Sequence, residues 1–293
     1  MASEKKELFA DPLVTADGSQ RAAVDLRNLE TLWLNTGTLC NLACENCYIE
    51  STPENDRLLY LSLQEVLPFL AEIRDQGLGT REIGITGGEP FMNPEILLIM
   101  QACLEQGFNL LVLTNAMRPM MRTRIQSGLL DLKKAYPDQL TLRVSIDHFD
   151  QALHEEERGV GSWQPMLHGM RWLSMNAFHV DIAGRTRWGE SEQELRAGYA
   201  RLFASRGIAV DAYDPKQLVL FPEMDANSSV PEITVDCWDI LGVQPKDMMC
   251  ASSRMVVKHR GDEQPSVMAC TLLAYDPQFN LGRSLADAAT AVA

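Results

Sequence analysis

Basic side chains are scarce in this sequence: 26 Lys and Arg stand against 40 Asp and Glu, which leaves a formal charge of −14. A surface of that sign does not neutralise phosphates over a wide area, so general binding to nucleic acid or to an anionic membrane surface is excluded. Long apolar runs are lacking too. EILLIM at 95–100 and LVLFP at 218–222 fall far short of the ~20 residues that a membrane helix needs. The opening MASEKKELFADPL has no apolar core of the signal-peptide kind, and a cytoplasmic protein is expected. Histidine is sparse, with five in 293 residues and no metal-site spacing among them. Cysteine is not scarce: there are seven. An odd number without an export signal fits reduced thiols or metal ligands better than a disulfide framework.

With 46% hydrophobic residues the chain can bury a large core, enough for one sizeable domain with a small appendage. Residues 1–29 mix charges with few apolar anchors and read as an N-terminal arm. From there short strands alternate with longer helices. TLWLNT (31–36) reads as a strand; SLQEVLPFLAEIRDQG opens on Ser62 and Glu65, spaced as a capping box, and ends at Gly77 as a helix. REIGIT (81–86), FNLLVLTN (108–115), LTLRVSID (140–147), FHVDIAG (178–184) and IAVDAYD (208–214) read as further strands, separated by helical stretches. Six βα-type repeats imply a parallel sheet rolled into a partial (β/α)6 TIM-type barrel over 30–222, with functional residues at the carboxyl ends of strands. After about residue 222 the alternation stops, and 223–293 is expected to form a small C-terminal extension holding Cys237, Cys250 and Cys270.

LCNLACENCY, residues 39–48, puts Cys40, Cys44 and Cys47 on one short loop, about 100 residues from the nearest histidine, His148. Spacing alone leaves three readings. Three thiolates can hold three corners of a [4Fe-4S] cluster and leave its fourth iron open. A structural zinc site would lack its usual fourth ligand here. Cys44 and Cys47 could also act as a thioredoxin-like redox pair. Cys103 falls within the apolar pattern of its helix and reads as a small buried hydrophobe.

The spacing Cys40, Cys44, Cys47, followed by the aromatic Tyr48 and, one βα unit later, by GGEP at 87–90, resembles the radical S-adenosylmethionine (SAM) enzymes. The resemblance covers roughly 31–220. It implies that the open iron of the cluster binds the amino and carboxylate groups of SAM. Gly87 and Gly88 would then let backbone groups approach the methionine end, and Glu89 would help to hold its ammonium. Ser145 and Asp147, in VSID, would reach the SAM carboxylate or ribose. Thr114 and Asn115 are candidates for the ribose and Tyr48 for the adenine. Arg158 and Arg185 are candidates for the guanidinium on the SAM carboxylate, a bidentate contact that lysine cannot make.

The C-terminal stretch beginning CASSRMVV, with its late GRSLADA, resembles the SPASM and Twitch extensions of that family, which carry auxiliary iron-sulfur clusters. Cys237, Cys250 and Cys270 would supply one incompletely ligated second cluster, and the chain is expected to stop short of the full SPASM pattern. The function implied is that of an oxidoreductase. It cleaves SAM reductively at a [4Fe-4S] cluster to a 5'-deoxyadenosyl radical, which takes hydrogen from a peptide or a small molecule. An electron donor such as flavodoxin or ferredoxin is implied. The alternative is a non-catalytic iron-sulfur or zinc protein serving binding or electron transfer.

Overall fold

The computed structural model describes residues 8–223 and 229–289. Strand β1 (Thr31–Asn35) leads into the cysteine loop, and α1 (Leu63–Gln76) follows. The capping box forms as the spacing requires. Ser62 accepts from the Glu65 backbone N–H, Glu65 accepts from that of Ser62, and Gly77 ends the helix in the left-handed region at φ 62°. Next come β2 (Glu82–Thr86), α2 (Ile96–Glu105), β3 (Asn109–Thr114), α3 (Thr123–Ala135) and β4 (Leu140–Ser145). Two helices, α4 (Gln151–Arg158) and α5 (Trp163–Met175), precede β5 (His179–Arg185), α6 (Glu192–Arg206) and β6 (Leu218–Phe221). The rest contributes α7 (Cys237–Leu241), β7 (Ser253–Val257), β8 (Ser266–Met268) and α8 (Leu285–Ala289).

All eight strands join one sheet in the order β6-β5-β4-β3-β2-β1-β7-β8. Every pairing is parallel except β7 with β8. The described strands do not close on themselves, so the barrel is partial. Leu32, Leu34, Ile83, Ile85, Leu110, Val112, Leu142 and Val144 join one buried cluster with apolar residues of the helices, such as Phe69, Ile99, Leu129 and Leu173. Alternate residues of the same strands point to the other face. There Trp33 lies so close to Gly84 that a Cβ on that glycine would stand 2.4 Å from the indole.

Two expectations need revising. The sixth strand is not IAVDAYD but Leu218–Phe221, paired with β5 from Ile182↔Leu218 to Arg185↔Phe221. Residues 208–214 form no strand; Asp211 and Asp214 accept from the backbone N–H groups of Tyr213 and Lys216, and these local turns hold the chain instead of a ladder. In addition, part of the C-terminal segment belongs to the sheet itself, since β7 pairs with β1 from Thr31↔Ser253 to Leu34↔Val256. The N-terminal arm lies across the same segment: Glu232 accepts from the backbone of Phe9 and Ala16 and pairs with Arg21 at 2.5 Å. Cys103 is fully buried in the core, as its helical pattern suggests. No described helix is long and apolar enough to cross a membrane.

Candidate functional site

The carboxyl ends of β1 to β5 carry the predicted residues other than Arg158, at the end of α4, and the three C-terminal cysteines, and β1 and β2 fix the first of them. Thr36 donates through its backbone N–H and its hydroxyl to the carbonyl of Thr86, at 2.8 and 3.0 Å, and so ties the two strand ends together. The loop beyond is held by backbone bonds from Thr38 to Leu58 and from Cys40 to Thr52, both 3.0 Å. After Cys47 the chain turns through Glu50 at φ 53°, the Ser51 N–H points to the Cys47 Sγ at 3.3 Å, and the Tyr275 hydroxyl donates to the Ile49 carbonyl at 2.7 Å.

All seven cysteines are free thiols. Burial pushes the Cys40 thiol up to about 12 and raises that of Cys44, while the Arg158 guanidinium opposes both shifts. Thiols so placed need a cationic centre to compensate their ionised form, which iron bound by the sulfurs would provide. Among the described residues no three His, Cys, Asp or Glu side chains converge closely enough to hold a single metal ion. The donor set on this loop is three soft sulfurs, which suits an iron-sulfur cluster.

Gly87 and Gly88 pack against this loop. A Cβ on Gly87, at φ 139°, would stand 2.5 Å from the Gly37 carbonyl oxygen, and one on Gly88 would stand 2.3 Å from that of Leu39. The close approach that these glycines allow is between β2's end and the chain entering Cys40. Glu89 is buried, and its carboxylate accepts from the Thr114 hydroxyl at 2.9 Å and from the backbone of Asn115 at 2.9 Å and Phe91 at 3.2 Å. Desolvation outweighs those bonds and raises its carboxyl to about 7. The Asn115 side chain donates to Asn41 Oδ1 at 3.0 Å and lies 4.0 Å from the Cys40 Sγ. Tyr48 is half-exposed, with its hydroxyl 3.5 Å from that of Thr86.

At the end of β4, Ser145 is partly exposed and Asp147 is buried. Asp147 binds two guanidiniums: Arg158 through Nε and Nη2, and Arg185 through Nε at 3.2 Å. Despite burial, these charges hold the Asp147 carboxyl below its usual range. The two arginine candidates therefore share one acid. Arg185 also donates to the Asn46 carbonyl at 3.1 Å and to Glu223 at 3.1 Å. Two residues of this cluster escape sequence reasoning, Glu157 and Arg187, which pair at 2.9 Å. The run EEER offers no signal that one of its acids turns inward; only the helical register of α4 decides that.

Of the C-terminal cysteines, Cys250 lies in the turn before β7, and Cys270 follows β8 with the Leu272 N–H pointing to its Sγ at 3.4 Å. Cys237 opens α7 and is partly exposed.

The profile of the Radical SAM superfamily matches residues 34–186, which holds the cysteine loop, GGEP, Asn115, Asp147, Arg158 and Arg185. The chain belongs to this superfamily. Membership implies a [4Fe-4S] cluster and SAM as its cofactors. It is 30% identical over 145 residues to the antilisterial bacteriocin subtilosin biosynthesis protein AlbA of Bacillus subtilis, covering 49% of this chain and 30% of AlbA. It thus spans less than a third of that relative's length. Among solved structures, Streptococcus suis SuiB bound to S-adenosylmethionine superposes with a TM-score of 0.62 at 13% identity, over 88% of this chain and 64% of SuiB. The enzyme anSMEcpe with bound AdoMet gives 0.60 at 13% identity, over 86% and 74%. These two likenesses bear on the fold alone, and both agree with the partial barrel.

Proposed function

We propose that this radical SAM enzyme modifies a peptide by hydrogen abstraction, with Cys40, Cys44 and Cys47 holding the SAM-cleaving cluster. The observation that carries this reading is the set of three free thiols at the end of β1, flanked by the buried Glu89 and by Arg158. When bound, the cluster and SAM supply an electron and the 5'-deoxyadenosyl radical that takes hydrogen from the substrate.

The chain's own residues bind, orient and exclude water. Glu89 presents a buried carboxylate to the SAM ammonium, with Gly87 and Gly88 bringing that strand end against the cysteine loop. Arg158 takes the SAM carboxylate with its fork, and Asp147 keeps the fork aimed before the ligand arrives. Asn115 and Ser145 would line the ribose side, Tyr48 would lie beside the adenine, and Arg185, which shares Asp147 with Arg158, would stand on the carboxylate side. Cys237, Cys250 and Cys270 hold an auxiliary iron-sulfur cluster.

A peptide substrate is favoured over a small molecule by the likeness to AlbA, a bacteriocin biosynthesis protein. It also agrees with the structure of SuiB bound to precursor peptide SuiA, matched at a TM-score of 0.60. A flavodoxin or ferredoxin would deliver the electron, and the setting would be cytoplasmic.

Anaerobic reconstitution followed by dithionite reduction tests the reading. The native chain is expected to release 5'-deoxyadenosine from SAM, and the Cys40→Ala, Cys44→Ala, Cys47→Ala triple variant none. Product from the triple variant would overturn the cluster assignment. A cluster-bearing native chain that never cleaves SAM would instead mark a binding or electron-transfer protein.

A further inference from the structure

Between Cys44 and Cys47 stand only Glu45 and Asn46, and neither is held by its own loop. The Glu45 backbone N–H donates to the carbonyl of Glu157 at 2.9 Å. The Asn46 backbone N–H donates to Glu157 Oε1 at 3.0 Å, and the Asn46 Nδ2 donates to Oε2 at 2.9 Å. On the other side, Arg185 donates to the Asn46 carbonyl at 3.1 Å. One acid at the end of α4 therefore receives three donors from the two residues that separate two of the sulfurs.

Glu157 is 1% exposed. A buried carboxylate demands compensation, and Arg187 at 2.9 Å and Arg185 at 3.6 Å provide it. An ion pair with Arg187 alone would leave Asn46 uninvolved. Instead the carboxylate spans the backbone and side chain of Asn46 with its two oxygens, which fixes both the peptide plane and the rotamer between the sulfurs. Its neighbour Arg158 meanwhile binds Asp147, so consecutive residues of α4 address the two halves of the site.

We propose that Glu157 is a positioning residue for the cysteine loop: it sets the relative placement of Cys44 and Cys47, and its fixed charge lowers the reduction potential of the cluster they hold. This rests on the assignment of the cluster to Cys40, Cys44 and Cys47. Contacts of this kind, outside the ligands themselves, orient ligands and tune metal centres, and charge beside an iron-sulfur cluster is one determinant of its potential.

Two variants test it on the full chain after anaerobic reconstitution. E157Q keeps the size of the side chain and removes its charge, together with one of the two oxygens that accept from Asn46. It is expected to keep the iron content of the native chain and to show an upward shift of the midpoint potential of the cluster on Cys40, Cys44 and Cys47 in an EPR-monitored redox titration. E156Q serves as the local charge control, because Glu156 reaches Arg187 and the Trp188 Nε1 rather than the loop; its shift is expected to be smaller. E157A removes the seat, and is expected to lose most of its cluster or to broaden its EPR signal, with far-UV circular dichroism unchanged. A wild-type potential in E157Q overturns the proposal, whatever E157A does. If the native chain carries no cluster, the cysteine assignment fails and the proposal with it. A native cluster with indifferent Glu157 variants removes the proposal alone.

Discussion

The α-carbon of Gly88 faces the carbonyl of Leu39 so closely that a Cβ there would lie 2.3 Å from its oxygen, and Leu39 is the residue before Cys40. The Gly88 N–H also donates to Gly37 at 2.7 Å, and the Glu89 N–H to Leu39 at 3.2 Å. The second glycine of GGEP therefore seats the cysteine loop.

The first prediction follows from that contact. Gly88→Ala must push the chain entering Cys40, and backbone yields less easily than a side-chain tip. Iron content after reconstitution is expected to fall together with SAM binding. Full iron with weakened SAM binding alone would mean that the glycine faces the ligand instead.

Glu89 is expected to make SAM binding pH-dependent. Its carboxyl is raised to about 7 from the usual 4.5 by burial, so in the ligand-free protein the neutral form is preferred below neutrality. The contribution of Glu89 to stability is full below pH 4.5 and is lost as pH rises through 7, by about 3 kcal/mol in all. A cationic ligand reverses the preference, so SAM affinity is expected to rise with pH through the same window. In Glu89→Gln, calorimetry at pH 6 and 8 is expected to give weak binding and no such rise. A pH-dependent affinity that survives the substitution would place the titrating group elsewhere.

Asp147 is buried between Arg158 and Arg185. Asp147→Ala leaves the buried Arg158 guanidinium without its acid, while Arg185 keeps Glu157 and Glu223, and is expected to cost about 3–5 kcal/mol in urea unfolding. Arg158→Lys keeps the charge but loses the fork. Its SAM dissociation constant is expected to rise about tenfold or more, the equivalent of about 1.4 kcal/mol, with iron content unchanged.

Gly169, in the middle of α5, lies against the turn that follows β3: a Cβ would come within 1.8 Å of the Ala116 carbonyl oxygen, and Ala116 is itself left-handed at φ 56°. Gly169→Ala is expected to destabilise the fold by about 1–3 kcal/mol, the range for overpacking, and to disturb Asn115 one residue away. Thermal unfolding together with SAM affinity separates the two effects.

For the C-terminal cysteines the expected iron count is about eight per chain, falling to about four in the Cys40/Cys44/Cys47 triple variant, as two separate cubanes require. A native count near four, with essentially none in the triple variant, would leave Cys237, Cys250 and Cys270 as structural thiols.

The parts of this fold visible in the sequence are those with local causes. Ser62, Glu65 and Gly77 bound α1 by bonds within one helix, and the cysteine spacing and GGEP sit at strand ends that alternation alone locates. What stayed hidden depends on partners far along the chain. IAVDAYD has the composition of a strand, yet side-chain turns at Asp211 and Asp214 shift the pairing segment to Leu218–Phe221. SRMVV is buried at every position, so it shows no alternation to betray its place beside β1. Likewise, the partner that Glu157 meets on turning inward, Asn46, stands more than a hundred residues earlier.

The neighbour that β1 acquires from β7 bears on how the molecule is made. During synthesis the strand that launches the cysteine loop emerges early and soon gains β2 on one side, but its other hydrogen-bonding edge has no mate until residues 253–257 leave the ribosome. Pairings across such a sequence separation form slowly, and an exposed edge invites intermolecular pairing in the interval. The anchoring of Ile49 by Tyr275 is later still. A nascent chain therefore completes the support of its cysteine loop only once β7 and Tyr275 have been made, which places iron loading after more than two hundred further residues of synthesis.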